Sequence, residues 1–202
     1  MLSYEKMKEK IRKQLTPYRY EHTLGVVGAA IELAHKYQVE EEDAKIAALL
    51  HDCAKNKDKE TLLKIAKENN LELDQVVKMQ PNLLHGPIGS IIAQKSFGIK
   101  NKNILSAIRY HTTGRAHMTT LEKIIYLADY IEKGRNFPGV EKLRQTAQKD
   151  LNYALLLSFD HTIRYVLEKE NLLHLNTIKA RNDILINYKK EKKEEFNVNK
   201  IN

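Results

Sequence analysis

The stretch AKIAALLHDCAK, Ala44–Lys55, decides how the rest of the chain is read. IAALL is the interior of a buried helix, and a His and an Asp follow where that helix is ending. A buried carboxylate without a partner costs several kcal/mol. A metal ion is one partner that removes this cost. An Asp capping the next turn, with its His at the rim, explains the dipeptide as well, so by itself the pair leaves both readings open. Neighbouring helical residues point about 100° apart. An ion bound by both His51 and Asp52 therefore sits at the seam between their directions, and other helices must complete its shell.

Two further positions supply that shell. His22 lies in YEHTLGVVGAA, on an amphipathic helix whose small residues Gly25, Gly28 and Ala29 allow close approach of a neighbour. Asp129 interrupts the apolar stripe of KIIYLADYIE, and a carboxylate in that setting is the kind of local rule violation that marks functional sites. Two imidazoles and two carboxylates from separate helices suit a divalent transition metal, with positions left for water and substrate.

Helical periodicity runs through nearly the whole chain. It predicts helices over Tyr4–Leu15, Tyr18–Tyr37, Glu40–Ala54 and Lys59–Asn70, a single turn at Asp74–Met79, and helices over Gly86–Phe97 and Asn101–Tyr110. A helix to about Glu132 follows, capped by Thr119 or Thr120, with Glu122 placed for a capping box. Val140–Glu170 reads as helix, in one long piece, and a last helix capped by Asn176 or Thr177 reaches about Lys190. The chain has 202 residues but only 8 Gly and 4 Pro, too few turn residues for a sandwich or barrel. The expected class is all-α, one domain over residues 1–193, with a metal-binding core at about 18–140, C-terminal helices at 141–193 and a frayed charged tail at 194–202. No apolar run approaches the roughly 18–20 residues that span a bilayer. The basic start lacks the apolar core of a secretory signal, and the single Cys53 cannot form an internal disulfide. Both fit the cytoplasm. Net charge is +8, which serves either nucleic-acid binding or the steering of a small polyanion. Without a helix-turn-helix signature, zinc finger or aromatic-bearing strand, the polyanion is the favoured partner.

The order His22, His51–Asp52, Asp129 resembles the HD-domain superfamily of metal-dependent phosphohydrolases. HDCAK, LLHGPIG, RYHTTGR and LADYIEKGRNFPGV extend the similarity to the YqeK family, whose members are described as symmetrical diadenosine tetraphosphate hydrolases. The resemblance implies a single-domain helical HD fold and central cleavage of a dinucleoside tetraphosphate to two nucleoside diphosphates. It gives His85 and His111 a role at a second metal or at the substrate phosphates. Taken singly, helix capping would explain His85, and the negative end of a helix would explain His111. Asp52 becomes the bridging ligand or the group orienting the attacking water. Lys55, one turn beyond the pair, Thr112, Thr113 and Arg115 are candidate phosphate contacts. Arg135 resembles the family's ADP-contacting arginine, and for each of these basic residues a solvated side chain is the bland alternative.

The segment LLHLNTIKARND suggests a lid in which Asn176, Thr177 or Asn182 meets a base or ribose; the chain departs from the family pattern there, with no Pro near Leu175 and no aromatic near Arg181. The ligand set accepts Fe(II), Mn(II), Co(II) or Zn(II), as one ion or two, and the resemblance leans to iron and to a homodimer. A nucleotidase acting on deoxynucleoside monophosphates would use the same ligands. A regulator that binds nucleotide without turnover is the alternative from another class. His35, His117 and His161 read as surface or half-buried side chains, and Cys53 as a small buried residue.

Overall fold

A computed structural model describes residues 1–198, and side chains through Glu194; residues 199–202 of the expected tail lie outside the described residues. Eleven α-helices and one 3-10 turn form the described structure, with no strand among the described residues. In chain order these are α1 (Tyr4–Gln14), α2 (Pro17–Lys36), α3 (Glu41–Leu50), α4 (Lys59–Glu68), α5 (Gln75–Met79), the 3-10 turn Pro81–Leu84, α6 (His85–Phe97), α7 (Lys102–Tyr110), α8 (Thr120–Ile131), α9 (Val140–Ala147), α10 (Leu151–Glu168) and α11 (Leu175–Val198).

Most boundaries follow local chemistry. Pro17 does not merely stop α1. It opens α2 at the first helical position, where its missing N–H costs nothing, and Thr16 caps the helix by accepting from Arg19 N–H. Asp58, Asp74 and Asn101 cap α4, α5 and α7 in the same manner. Thr119 and Glu122 form a reciprocal capping box on α8. Gly98 closes α6 in the left-handed conformation, at φ 74°.

Four expectations need correction. α3 ends at Leu50 instead of Ala54, so the His51–Asp52 pair heads a turn, with His51 as the C-cap. The run expected as one helix over Val140–Glu170 divides at Gln148–Asp150, where Asp150 leaves helical dihedrals and caps α10 by accepting from Tyr153 N–H. The last helix begins at Leu175, placing Asn176 and Thr177 inside its first turn instead of at its cap. The same helix continues to Val198, beyond the expected end near Lys190.

α3 is the buried centre. Ala44, Ala47, Ala48, Leu49 and Leu50 have no exposed surface, and α2, α7, α8 and α1 pack around it. α10 lies against α8, α9 and α11, while α4 and the 3-10 turn pack with α6 over a smaller core of Leu62, Ala66, Leu84 and Ile88. Among the described residues no helix is long and apolar enough to cross a membrane.

The loop after α7 is locked by Gly114. Its φ is +64°, and a Cβ there would lie 2.6 Å from Phe159 Cζ and 2.9 Å from the Ala180 methyl. Strain at φ and overpacking each cost on the order of 1–3 kcal/mol. Gly114→Ala is expected to lower stability by at least ~2 kcal/mol in urea unfolding, whereas Gly28→Ala, which meets nothing within 4 Å, should not destabilise.

Candidate active site

Five chain segments bring titratable groups to one buried point. α2 supplies His22, the turn after α3 supplies His51, Asp52 and Lys55, α6 begins with His85, α7 ends at His111, and α8 carries Asp129. Close backbone contact sets two of these side by side. A Cβ on Gly86 would lie 2.7 Å from the Arg109 carbonyl oxygen, so only glycine lets the start of α6 approach the end of α7. His85 and His111 then face each other with ring centroids 4.9 Å apart.

The proton positions of the rings follow from their partners. His51 Nδ1 lies 2.7 Å from the Ala48 carbonyl, His111 Nδ1 lies 2.8 Å from that of Ile108, and His85 Nδ1 contacts that of Asn82. A carbonyl only accepts, so each Nδ1 carries the hydrogen. His22 Nδ1 meets the Glu132 carboxylate at 3.1 Å, with the same result. In the neutral imidazole each of the four Nε2 atoms then carries the lone pair.

These lone pairs have few donors to meet. Among the described residues, His22 Nε2 and His51 Nε2 are buried without a hydrogen-bond partner. His85 Nε2 and His111 Nε2 stand 3.0 Å apart, with Thr112 Oγ1 at 3.0 and 3.1 Å from them and Lys55 Nζ at 3.1 Å from His85. The Thr112 hydroxyl has one hydrogen and satisfies one ring at a time. Carboxylate oxygens add further electron pairs: Asp129 Oδ1 lies 3.1 Å from His22 Nε2, and Asp52 lies 3.4 to 3.6 Å from the Nε2 atoms of His85, His51 and His111. Orphaned lone pairs facing carboxylates fit a cation. Two overlapping groups meet the spacing that one ion requires, His22 with His51 and Asp129, and His51 with Asp52 and His111.

Electrostatics agree. Burial holds the His51 imidazole down to about 4, against the opposing pull of Asp52. Burial together with the neighbouring Lys55 ammonium holds His85 down to about 3. Burial alone would raise Asp52, but His51, His111 and Lys55 outweigh it and hold the carboxyl far below its usual range. Asp129 is likewise held down against burial, by His22, His51 and Arg135. Burial also lowers the Lys55 ammonium. Neutral imidazoles beside ionised carboxylates are the protonation states that metal ligation needs.

The other expected residues divide. Arg135 reaches the cluster, donating to Asp129 Oδ1 at 2.6 Å and to the Asp129 carbonyl at 2.8 Å. Arg115 instead serves the α8 capping box. Its Nε donates to Glu122 Oε1 at 3.0 Å, its Nη1 to the Ala116 carbonyl, and Glu122 is buried. Thr113 bonds the Gly114 carbonyl. Two cavities of about 400 and 390 Å³ share Thr112, Thr113 and His174; Asn176 lines the first and Thr177 the second. His174 pairs with Asp74 at 3.3 Å, and Asn182 is exposed beside Arg181. His35 is an exposed partner of Glu41, and His161 contacts Tyr130 and Phe137 away from the cluster.

Sequence reasoning missed two residues. Arg19 Nη1 donates to Asp52 Oδ2 at 3.0 Å, and buried Glu132 holds His22. Each lies three residues from a recognised ligand on the same helical stretch, Arg19 before His22 and Glu132 after Asp129, and that spacing was the available signal.

A helical bundle that gathers histidines and aspartates in this order has the construction of an HD-type metal site. The HD domain family matches residues 19–134, more than half of the chain. The chain belongs to the HD-domain superfamily and, within it, to the YqeK family. It is 41% identical to a protein of Bacillus subtilis named bis(5'-nucleosyl)-tetraphosphatase, symmetrical, over 85% of this chain and 92% of that one. A protein of the same name from Staphylococcus aureus is 34% identical over 90% of this chain and 94% of its own length. A crystal structure described as a predicted HD superfamily hydrolase involved in NAD metabolism, from Clostridium acetobutylicum, superposes with a TM-score of 0.90 at 47% identity. It covers 93% of this chain and 99% of that one.

The depressed histidines predict a pH dependence for metal-free protein. Both rings are neutral when folded, and both take up a proton near 6.5 when unfolded. Their contribution is complete above 6.5 and is lost as pH falls through about 4 for His51 and about 3 for His85. The urea midpoint of chelator-treated protein should fall between pH 7 and 5, and His51→Gln/His85→Gln should flatten that slope. A wild-type midpoint constant over this window would contradict neutral His51 and His85 in the folded protein.

Proposed function

We propose that this protein hydrolyses dinucleoside tetraphosphates, diadenosine tetraphosphate above all, at the centre of the phosphate chain to give two nucleoside diphosphates. The observation that carries the reading is the buried convergence of four imidazole lone pairs and two carboxylates, flanked by Arg19, Lys55 and Arg135. Relatives named for this activity align along nearly their whole length.

His22, His51, Asp52 and Asp129 are the residues that would hold the first metal, and His85 and His111 either a second metal or the phosphates. A divalent ion there supplies charge neutralisation at phosphoryl oxygens and lowers the pKa of water. Asp52 stands between His51, His85 and His111 and orients the attacking water. Attack at one inner phosphorus breaks its bond to the bridging oxygen, and the departing nucleoside diphosphate carries that oxygen away. Lys55, Arg19 and Arg135 then offset the negative charge growing on the phosphate chain, with Thr112 as a hydroxyl donor. Thr113, Asn176 and Thr177 line the neighbouring cavities as contacts for a nucleoside. Arg115 is turned to Glu122 and contributes by holding the loop.

Mixed imidazole and carboxylate donors suit Fe(II), Mn(II), Co(II) and Zn(II), and family resemblance favours iron. The same resemblance supports a homodimer, and the lone buried Cys53, whose thiol burial raises to about 12, suits a reducing cytoplasm. Residues 1–193 are read as one functional unit, the metal-binding core at about 18–140 and helices 141–193 beside it.

Metal-reconstituted protein should convert diadenosine tetraphosphate to ADP alone, resolved by ion exchange, and His51→Ala should abolish this. His111→Ala and Lys55→Ala should each lower kcat by about 10²-fold or more. AMP with ATP as products would contradict central cleavage.

A further inference from the structure

One buried carboxylate has no role in holding phosphate or metal directly. Glu132 caps the end of α8, next to the site, and only 4% of its surface is exposed. Its Oε1 accepts from His22 Nδ1 at 3.1 Å, and its Oε2 accepts from the Gly134 N–H. The space it occupies is reserved by glycine. A Cβ on Gly25, one turn after His22 on α2, would stand 2.4 Å from Glu132 Oε2. A Cβ on Gly134 would stand 3.0 Å from both oxygens. The turn carrying Glu132 is itself fixed from α9, because Arg144 donates to the carbonyls of Ile131, Glu132 and Arg135, each at 2.8 Å.

The consequence falls on His22. Unlike His51, His85 and His111, whose Nδ1 atoms bond a carbonyl of their own turn, His22 has no backbone acceptor for its Nδ1 among the described residues and depends on the Glu132 side chain at the end of α8. We propose that Glu132, given room by Gly25, is the positioning residue that fixes the tautomer and orientation of His22, so that Nε2 faces the metal. The proposal rests on the reading of His22 as a metal ligand. A carboxylate behind a ligating histidine also makes the ring a better donor, and losing such a partner costs metal affinity about 10- to 100-fold.

Glutamine cannot replace Glu132. The carboxylate accepts two hydrogens on two oxygens, whereas an amide offers one oxygen and turns its NH2 against a donor. Co(II) binding, followed by its visible absorption and by chelator competition, measures the effect without turnover. His22→Ala sets the scale of ligand loss. Glu132→Gln and Gly25→Ala, each checked for fold by circular dichroism, should weaken Co(II) binding about 10- to 100-fold and shift the absorption band. Because the three atoms nearest a Cβ on Gly25 all belong to Glu132, Gly25→Ala placed in a Glu132→Ala protein should change affinity by no more than about twofold. Parental affinity and spectrum in folded Glu132→Gln would overturn the proposal, as would additive losses in the double variant. Parental affinity in His22→Ala would overturn the metal reading itself, and the role of Glu132 with it.

Discussion

Four histidines in this fold spend their Nδ1 hydrogens on acceptors away from the site and aim their Nε2 lone pairs at a common centre that is largely shut off from water. Such an arrangement is costly without a cation, since lone pairs and carboxylate oxygens face one another with too few hydrogens between them. Much of the architecture follows from it. The C-terminal half of α3, Ile46 to Leu50, is buried on all sides, so that His51 and Asp52 emerge at its end inside the protein. α6 and α7 touch through Gly86 so that His85 and His111 meet, and α2 lies against α8 so that His22 meets Asp129 and Glu132.

The basic residues complete a balance of charge. Arg19 and Arg135 each hold one carboxylate of the cluster, and Lys55 lies against His85 with its ammonium destabilised by burial. On the proposed reading Asp52 and Asp129 would help hold a cation, and these three side chains would turn part of their charge to phosphoryl oxygens. The +8 net charge of the chain adds a long-range attraction for the same class of polyanion.

The sequence made much of this legible because the decisive residues break local rules. Asp129 in an apolar stripe and His51–Asp52 after IAALL are misplaced unless something pairs with them, and the structure brings both to the cluster with His22. The start of α8 at Thr119 is legible from side-chain chemistry, whereas Pro17 reads as a stop although its position makes it a start. Partnerships formed in three dimensions were harder. Nothing near Arg115 in the chain announces that Glu122 claims its guanidinium, and Glu132 looks like a solvent-facing helix end until Gly25 of α2 is placed above it. The division of Val140–Glu170 was hidden because Asp150 is acceptable both within a helix and as its cap.

The central claim is that these lone pairs meet on a metal ion, and anomalous diffraction tests it most directly. Crystals of protein loaded with iron or cobalt, measured at the absorption edge of that metal, should show an anomalous peak within bonding distance, about 2.0–2.3 Å, of His22 Nε2, His51 Nε2 and carboxylate oxygens of Asp52 and Asp129. Loaded protein with no peak there, and with His22 and His51 Nε2 bonded to ordered water, would contradict it.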